Sequence, residues 1–144
     1  MYPIRHYLQL ARLGKRRYAE ALRPVEQKYG LTRNEIDVIL FLANNPAHDT
    51  ARDMVEMRSL TKSHVCKSVD SLTRRGFLSG WQDRQDRRCV HLTLLPAAAP
   101  AVQDARQAQK RFFQRLTRGS TPAEEQMLEQ ILERLLHNLK EESE

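Results

Sequence analysis

Residues 61–94 read TKSHVCKSVDSLTRRGFLSGWQDRQDRRCVHLTL. Thr61 is a typical helix N-cap, and Gly76 is placed to end that helix in the left-handed conformation. Two strand-like runs, 77–82 and 88–94, follow and are joined by a polar turn rich in arginine. The stretch predicts a helix sized for the major groove of DNA over about 61–75, followed directly by a β-hairpin, the wing, over about 77–94. The pattern is typical of a winged helix-turn-helix.

Two further helices are predicted before this stretch. Residues 50–58 form a short amphipathic pattern, and a tight turn joins it to the helix at Thr61, as in a helix-turn-helix unit. Upstream, Thr32 and Glu35 make a capping box ahead of the apolar run 36–42. Because that run is apolar on nearly every side, we expect it to be a central buried helix.

Long amphipathic helices are predicted at both ends of the chain. In residues 1–30 the apolar side chains recur at steps of three and four, and after Pro96 a fifth helix runs to about Gly119. A sixth helix begins with a second capping box, Thr121 and Glu124, and carries a wide apolar stripe. These faces exceed what one small winged domain can cover, which favours a second copy of the chain. The predicted fold class is mainly α with a small β-hairpin wing: a winged helix-turn-helix DNA-binding domain at 31–95, and a helical dimerisation region at 1–30 and 96–144.

Composition limits the functional class. The chain has 144 residues, of which 40% are hydrophobic, enough for one domain with a real core. No apolar run approaches the roughly 20 residues of a membrane helix, and the N-terminus lacks a signal-peptide core. We therefore expect a cytoplasmic protein with no membrane partner. No phosphate loop, metal-ligand cluster or activated nucleophile is recognisable, so we expect no enzyme activity, no cofactor and no metal.

Charge and helical geometry indicate which side chains face DNA. The net charge is +6, and residues 50–95 carry nine Lys and Arg against five Asp and Glu, which suits binding to phosphate. With Val65, Val69 and Leu72 taken as the buried face, the N-terminal turns of the helix present their other side to base edges. We predict base contacts from Ser63, His64 and Lys67, and phosphate contacts from Thr61, Lys62 and Ser68.

The turn of the predicted wing carries both signs of charge. Arg84 and Arg87 flank its tip, where a guanidinium is narrow enough to enter the minor groove, and Arg87 is the better placed of the two. Carboxylates are repelled by phosphate, so Asp83 and Asp86 are predicted to accept hydrogen bonds from turn amides, with Asp86 also bracing Arg88 within the wing.

Several short motifs together resemble the MarR family of bacterial transcription regulators. The resemblance covers nearly the whole chain, and its specific part lies within 31–95. The motifs are the Leu31-Thr32 entry, the Leu60-Thr61-Lys62-Ser63-His64-Val65 start of the recognition helix, the Leu72-x-x-x-Gly76-Phe77-Leu78 exit and the Asp86-Arg87-Arg88 wing.

The resemblance implies a function as well as a fold. It implies a homodimer held by the first, fifth and sixth helices, bound to a pseudo-palindromic operator in double-stranded DNA and released by a small-molecule effector or an oxidant. It places base contacts at Ser63, His64 and Lys67, and a minor-groove contact at Arg87. We therefore expect a dimeric, sequence-specific DNA-binding transcription regulator, a repressor released by a small ligand.

Two features depart from the family pattern. Members commonly have Leu-Thr and a glycine before the fifth helix, whereas this chain has Leu-Leu-Pro-Ala-Ala at 94–98, so that helix begins without the usual cap. Cys66 occupies a position where a small hydroxyl residue is common. A thiol there, near Lys62 and Lys67, would act as an oxidant sensor, which is one alternative function.

The other alternative is a winged-helix module that contacts protein and does not bind DNA. In such a module, the face of the recognition helix that would otherwise contact DNA would carry acidic or apolar side chains. The cations Lys62, Lys67, Arg84 and Arg87 argue against that interpretation.

Overall fold

The computed structural model describes residues 3–58 and 60–142, and in that part of the chain six α-helices accompany one antiparallel β-hairpin. The predicted fold class, mainly α with a small β wing, is confirmed. The elements are α1 (Ile4–Tyr29), α2 (Arg33–Asn44), α3 (Ala51–Arg58), α4 (Lys62–Arg74), β1 (Leu78–Gln82), β2 (Val90–Leu94), a 3₁₀ turn (Pro96–Ala98), α5 (Ala99–Leu116) and α6 (Pro122–Glu141).

Both predicted capping boxes are present. The Thr32 hydroxyl accepts the amide of Glu35 at 3.1 Å, and the Glu35 carboxylate accepts the amide of Thr32 at 3.1 Å. Thr121 and Glu124 make the same reciprocal pair at the start of α6. Each box satisfies two backbone amides that a helix start leaves without partners, so these boundaries follow from local sequence.

The core forms around α2. Every residue of α2 from Ile36 to Leu42 is buried, which confirms the predicted central helix. Side chains from the neighbouring elements close over it, so α4 and the hairpin are fixed to one common support. The buried contributors are Leu22 and Val25 from α1, Met54 from α3, Val65 and Leu72 from α4, Leu78 and Leu92 from the hairpin, and Ala101, Val102, Ala105 and Ala108 from α5.

The junction between the hairpin and α5 shows how that helix starts without the usual cap. Pro96 opens a single 3₁₀ turn, and Leu95 before it makes no side-chain capping bond. The Leu95 amide instead donates to the carbonyl of Phe77 at 2.9 Å, and Ala98 is completely buried. A proline needs no amide partner at the first helical position, and small alanines allow close packing, so the chain turns here without a glycine.

The described residues fall into two compact units. One extends up to Lys110, and the other begins at Arg111 and comprises the end of α5 together with α6. The second half of α1 and the first part of α5 contribute to the core of the winged helix, so the predicted division at 30 and 96 stays a prediction. None of the described helices combines the length and apolar character needed to span a membrane.

Candidate nucleic-acid interface

The N-terminal half of α4 presents a polar, exposed face. Thr61 caps the helix by accepting the amide of His64 at 3.2 Å, while Val65 and Leu72 anchor its opposite side in the core. Gly76, at φ +74°, ends the recognition helix in the left-handed region where a side chain would be strained. The residues predicted to face DNA that the structure leaves exposed on α4 are Thr61, Lys62, Ser63, His64 and Lys67.

Ser68 does not belong to that face, and the prediction of a phosphate contact from it is wrong. Its exposed fraction is 5%, so it has almost no surface with which to meet DNA. Successive residues of a helix are rotated by about 100°, which places Ser68 on the same stripe as Val65 and Leu72. Val69, which we assigned to the buried face, is only half-buried.

Two buried carboxylates orient the helices of the helix-turn-helix. Glu35, 6% exposed, accepts the hydroxyl of Ser71 on α4 at 3.0 Å in addition to its capping bond. Asp37 accepts from Arg33 at 3.1 Å and from Arg58, at the end of α3, at 3.5 Å. A buried carboxylate is tolerated only when it is paired, and here the pairing joins α2 to both short helices. Sequence analysis identified the capping role of Glu35 but neither of these connections.

The wing is a regular two-stranded hairpin with an ordered polar turn. Leu78 pairs with Leu94 and Gln82 with Val90 in antiparallel register, and the turn between the strands spans 83–89. One oxygen of Asp83 accepts the amides of Gln85 and Asp86 at 3.3 and 3.0 Å. Both bonds hold the pKa of Asp83 below its ordinary value, and the bond from the Asp86 amide is the largest cause.

The predicted turn-amide role of both acidic residues is therefore confirmed. The Asp86 carboxylate accepts the backbone amide of Arg88 at 3.0 Å, and bracing of the Arg88 side chain by Asp86 stays a prediction. Arg84 and Arg87 are exposed on the same turn. The arrangement leaves two guanidinium groups on a turn whose backbone is held by its own carboxylates.

His91 is a feature that sequence analysis missed. Its Nδ1 lies 2.6 Å from Oδ1 of Asp49, in the turn before α3, and its Nε2 lies 3.3 Å from Oδ1 of Asp83 in the wing. The ring stacks on Trp81 with 4.3 Å between centroids. The hydrogen bond that Nδ1 donates to the Asp49 carboxylate is the main cause that raises the pKa of His91 above its ordinary value. Asp49 and His91 are 42 positions apart, so no local pattern could reveal the contact.

The two cysteines lie in different environments. Cys66 is exposed on α4, whereas Cys89 is half-buried in the wing. Burial, together with the carboxylate of Asp83, raises the pKa of the Cys89 thiol and so disfavours its thiolate. An oxidant-sensing role for Cys66 stays a prediction. Among residues 3–58 and 60–142 no group of three or more His, Cys, Asp or Glu side chains is arranged to hold a metal ion.

Comparison with known proteins finds a family model that is similar to part of the chain. Residues 29–88, which include α4, β1 and most of the wing turn, match the model of the MarR family. Comparison with curated proteins at the level of sequence finds no match.

Solved structures share the fold over nearly the whole chain. The transcriptional regulator PA3341 is 24% identical, with a TM-score of 0.80 over 94% of this chain and 98% of that chain. Staphylococcus aureus MepR in its DNA-binding conformation is 17% identical, with a TM-score of 0.82 over 92% and 98%. BpsR of Bordetella bronchiseptica, described as regulated in DNA binding by 6-hydroxynicotinic acid, is 22% identical, with a TM-score of 0.69 over 90% and 98%.

At these identities the solved structures establish the fold, and the match to the family model covers the recognition helix and the first strand of the wing but ends before β2. The chain is thus similar to the MarR family over residues 29–88, and it has the winged helix-turn-helix fold seen in solved structures of MarR-family transcription regulators.

Proposed function

We propose that this protein is a homodimeric, sequence-specific DNA-binding transcription regulator of the bacterial cytoplasm. One observation carries the proposal: α4 and the wing are built on a single core, and each exposes basic side chains. Lys62 and Lys67 lie on the exposed face of α4, and Arg84 and Arg87 lie on the wing turn. A helix and a hairpin held in this way suit adjacent grooves of one duplex.

Each exposed residue has an assigned role within this proposal. Ser63, His64 and Lys67 would read base edges in the major groove, and Thr61 and Lys62 would contact phosphates. Arg87 would enter the minor groove with Arg84 beside it, because a guanidinium is attracted to the negative potential there. Ser68 is omitted on account of its burial.

Exposed apolar faces support the dimer. In the first unit, α1 exposes Leu8 at 59%, and in the second unit α6 exposes Leu135 at 49% and Leu139 at 59%. Apolar side chains exposed along one face of a single helix typically mark an interface. Charge also supports the pairing of copies, since residues 1–30 carry seven basic and two acidic side chains, while residues 120–144 carry two and seven.

We further propose that the protein is a repressor released by a small ligand. BpsR, which shares the fold, is described as regulated by 6-hydroxynicotinic acid, an aromatic acid. In this chain an open groove of about 530 Å³ lies within the second unit. Its lining is apolar at Phe113, Leu132 and Leu136 and acidic at Glu125, Glu129 and Glu133, so it would suit a neutral or cationic ligand better than an acid. That volume is in the range of small-molecule sites.

Selection of bound sequences from a random DNA pool tests the function directly. With the full chain we expect enrichment of two inverted half-sites whose centres are about 10 base pairs, one helical turn, apart. The matched control is the Lys62→Ala, Arg87→Ala double variant, which should enrich weakly. Absence of enrichment by the wild type would refute DNA reading and favour a module that contacts protein.

The contrast between the cysteines supports one second candidate, a thiol-based oxidant sensor. Cys66 is exposed on the DNA-facing helix and Cys89 is half-buried, so peroxide should act at Cys66 first. Release of operator DNA by peroxide should be lost in Cys66→Ser and retained in Cys89→Ser. Equal release from the wild type and from Cys66→Ser would refute this role.

A further inference from the structure

We propose that His91 is a positioning residue: in its doubly protonated form it ties the wing to the start of α3, and the wing is released as pH rises. The inference rests on the proposed DNA-binding function and adds to it a pH-sensitive restraint on the presentation of Arg84 and Arg87.

The first half of this link joins His91 to the body of the winged helix. Asp49 approaches the ring with its carboxylate at 2.6 Å, and the carbonyl of the same residue accepts the amide of Leu92 at 2.8 Å. Thr50 forms a β-bridge with His91 and also caps α3 by accepting the amide of Asp53 at 3.1 Å. On the side of the winged-helix body, His91 therefore contacts a segment, Asp49 and Thr50, whose backbone is fixed by several hydrogen bonds.

The second half of the link reaches the turn that carries the arginines. Asp83 faces His91 with one carboxylate oxygen, at 3.3 Å, and accepts the amides of Gln85 and Asp86 with the other. The histidine thus contacts the carboxylate that shapes the turn. A change in the charge of the His91 ring therefore alters its interaction with Asp83, the side chain whose hydrogen bonds order the wing turn.

The wing has few other restraints along its outer half. Leu78 and Leu92 anchor its base, at 1% and 7% exposure, but Trp81 and Val90 are 50% and 43% exposed. A two-stranded hairpin is marginally stable without packing on one face. The His91 link therefore acts where apolar anchoring has ended.

Only the protonated ring satisfies both carboxylates. An imidazolium donates from both nitrogens, whereas the neutral ring donates from one and turns a lone pair toward the other acceptor. With Asp49 and Asp83 both ionised, loss of the proton replaces one hydrogen bond by repulsion. The raised pKa of His91, caused chiefly by Asp49 and opposed by partial burial, agrees with this geometry.

The charged groups around the ring favour its cationic form. Besides the two bonded carboxylates, Asp53 of α3 and Asp86 of the turn are close enough to act on Cys89, which lies two residues before His91. Of the nearby basic groups, Arg52 pairs with Glu56 at 2.9 Å and His48 lies 3.9 Å from Asp53. The surroundings of His91 are therefore acidic from both the α3 side and the wing side.

Protonation of His91 can be observed without DNA. Trp81 is the single tryptophan of the chain and stacks on the ring, so imidazolium should quench its fluorescence. We expect emission from the full chain to rise with pH, with a midpoint above the ordinary histidine value of about 6.5. The transition should vanish in His91→Gln, move to lower pH in Asp49→Asn, and remain in the control His48→Gln.

Release of the wing has its own readout. Trypsin cleaves after Arg84, Arg87 and Arg88, and we compare cleavage in the wild type and in His91→Gln at each pH, which cancels the pH dependence of the protease. Wild-type protection should be on the order of fivefold below the midpoint, at the low end of typical couplings between sites, and should disappear above it. The proposal would be overturned if the wild type and His91→Gln were cleaved equally at every pH. A fluorescence midpoint at or below the ordinary histidine value of about 6.5 would also overturn it.

The effect on DNA is measured last, on a selected operator. Wild-type affinity should fall as pH rises through the Trp81 midpoint, and both His91→Gln and Arg87→Ala should lose that step. His64→Gln should retain it, which separates His91 from a histidine placed on the recognition helix. If no operator is bound at any pH the proposed function fails, while fluorescence and proteolysis still decide the link.

Discussion

Arg75, which follows the last turn of α4, donates from its guanidinium to the carbonyl oxygen of Gly30 at 2.8 Å. A second nitrogen reaches the carbonyl of Tyr29 at 2.7 Å, and the group lies over the ring of Phe77 at 5.0 Å. The end of the recognition helix is therefore attached to the C-terminus of α1, where carbonyl groups lack helical partners and favour a cation.

Replacing Arg75 by alanine should destabilise the fold. Hydrogen bonds from a charged donor contribute about 1.5–3 kcal/mol when well shielded, and we expect about 1 kcal/mol here because the side chain is exposed. Denaturant titration measures the change in the free energy of unfolding. Arg74→Ala is the matched control and should stay within about 0.5 kcal/mol of the wild type. Equal losses in the two variants would show that the link contributes nothing specific.

Arg87→Ala should weaken operator binding by about 1–3 kcal/mol, with the largest loss on sites that have a narrow A/T minor groove. The loss follows from removing a guanidinium from the region of most negative potential. Fluorescence anisotropy with labelled duplexes measures it, and Gln85→Ala on the same turn is the control. An unchanged affinity would contradict the role given to the wing tip.

Lys62→Ala should reduce affinity by a similar factor on every sequence tested. A lysine that neutralises one phosphate releases condensed counterions, so its loss should lower the slope of log K against log salt by about one unit. Binding isotherms at several salt concentrations provide that slope. Lys140→Ala, on α6, should leave it as in the wild type; a common shift in both variants would indicate a nonspecific effect of net charge.

Leu135→Glu should convert the dimer to monomer. Leu135 lies in the exposed apolar stripe of α6, and a carboxylate buried without a partner opposes association. Sedimentation velocity measures the state of the full chain. Gln130→Glu adds the same charge on the opposite side of the helix and should remain dimeric. A Leu135→Glu dimer as tight as the wild type would place the interface elsewhere.

The stability contributed by His91 should depend on pH with a defined sign. Because folding raises its pKa, the contribution is fully present below the unfolded value of about 6.5 and is lost as pH rises through the folded value. The difference in Tm between the wild type and His91→Gln should therefore shrink from pH 6 toward pH 9. A difference that stays constant or grows with pH would mean that the ring stabilises the fold as a neutral group.

Local sequence was sufficient for the elements and for part of the interface. The Thr32 and Thr121 capping boxes and the Thr61 cap set helix starts because their partners are three residues away. The same holds for Asp83 and Asp86, whose turn amides lie within three residues. Such contacts depend on backbone geometry that a short segment specifies by itself.

Ser68 and the fifth helix show where local patterns were insufficient. The burial of Ser68 depends on the face of α4 that packs inward, and a serine carries no apolar signal to mark it. The 3₁₀ turn before α5 depends on a bond between Leu95 and Phe77, which the hairpin brings together.

By itself the sequence determined the order of helices, the hairpin and the exposed cations Lys62, Lys67, Arg84 and Arg87, since periodicity, capping and turn chemistry act over a few residues. Only the tertiary structure decided that Asp49 meets His91, that Glu35 meets Ser71 and that Arg75 meets Gly30. These pairs are separated by 36 to 45 positions, and burial of one shared core around α2 brings them within hydrogen-bonding distance.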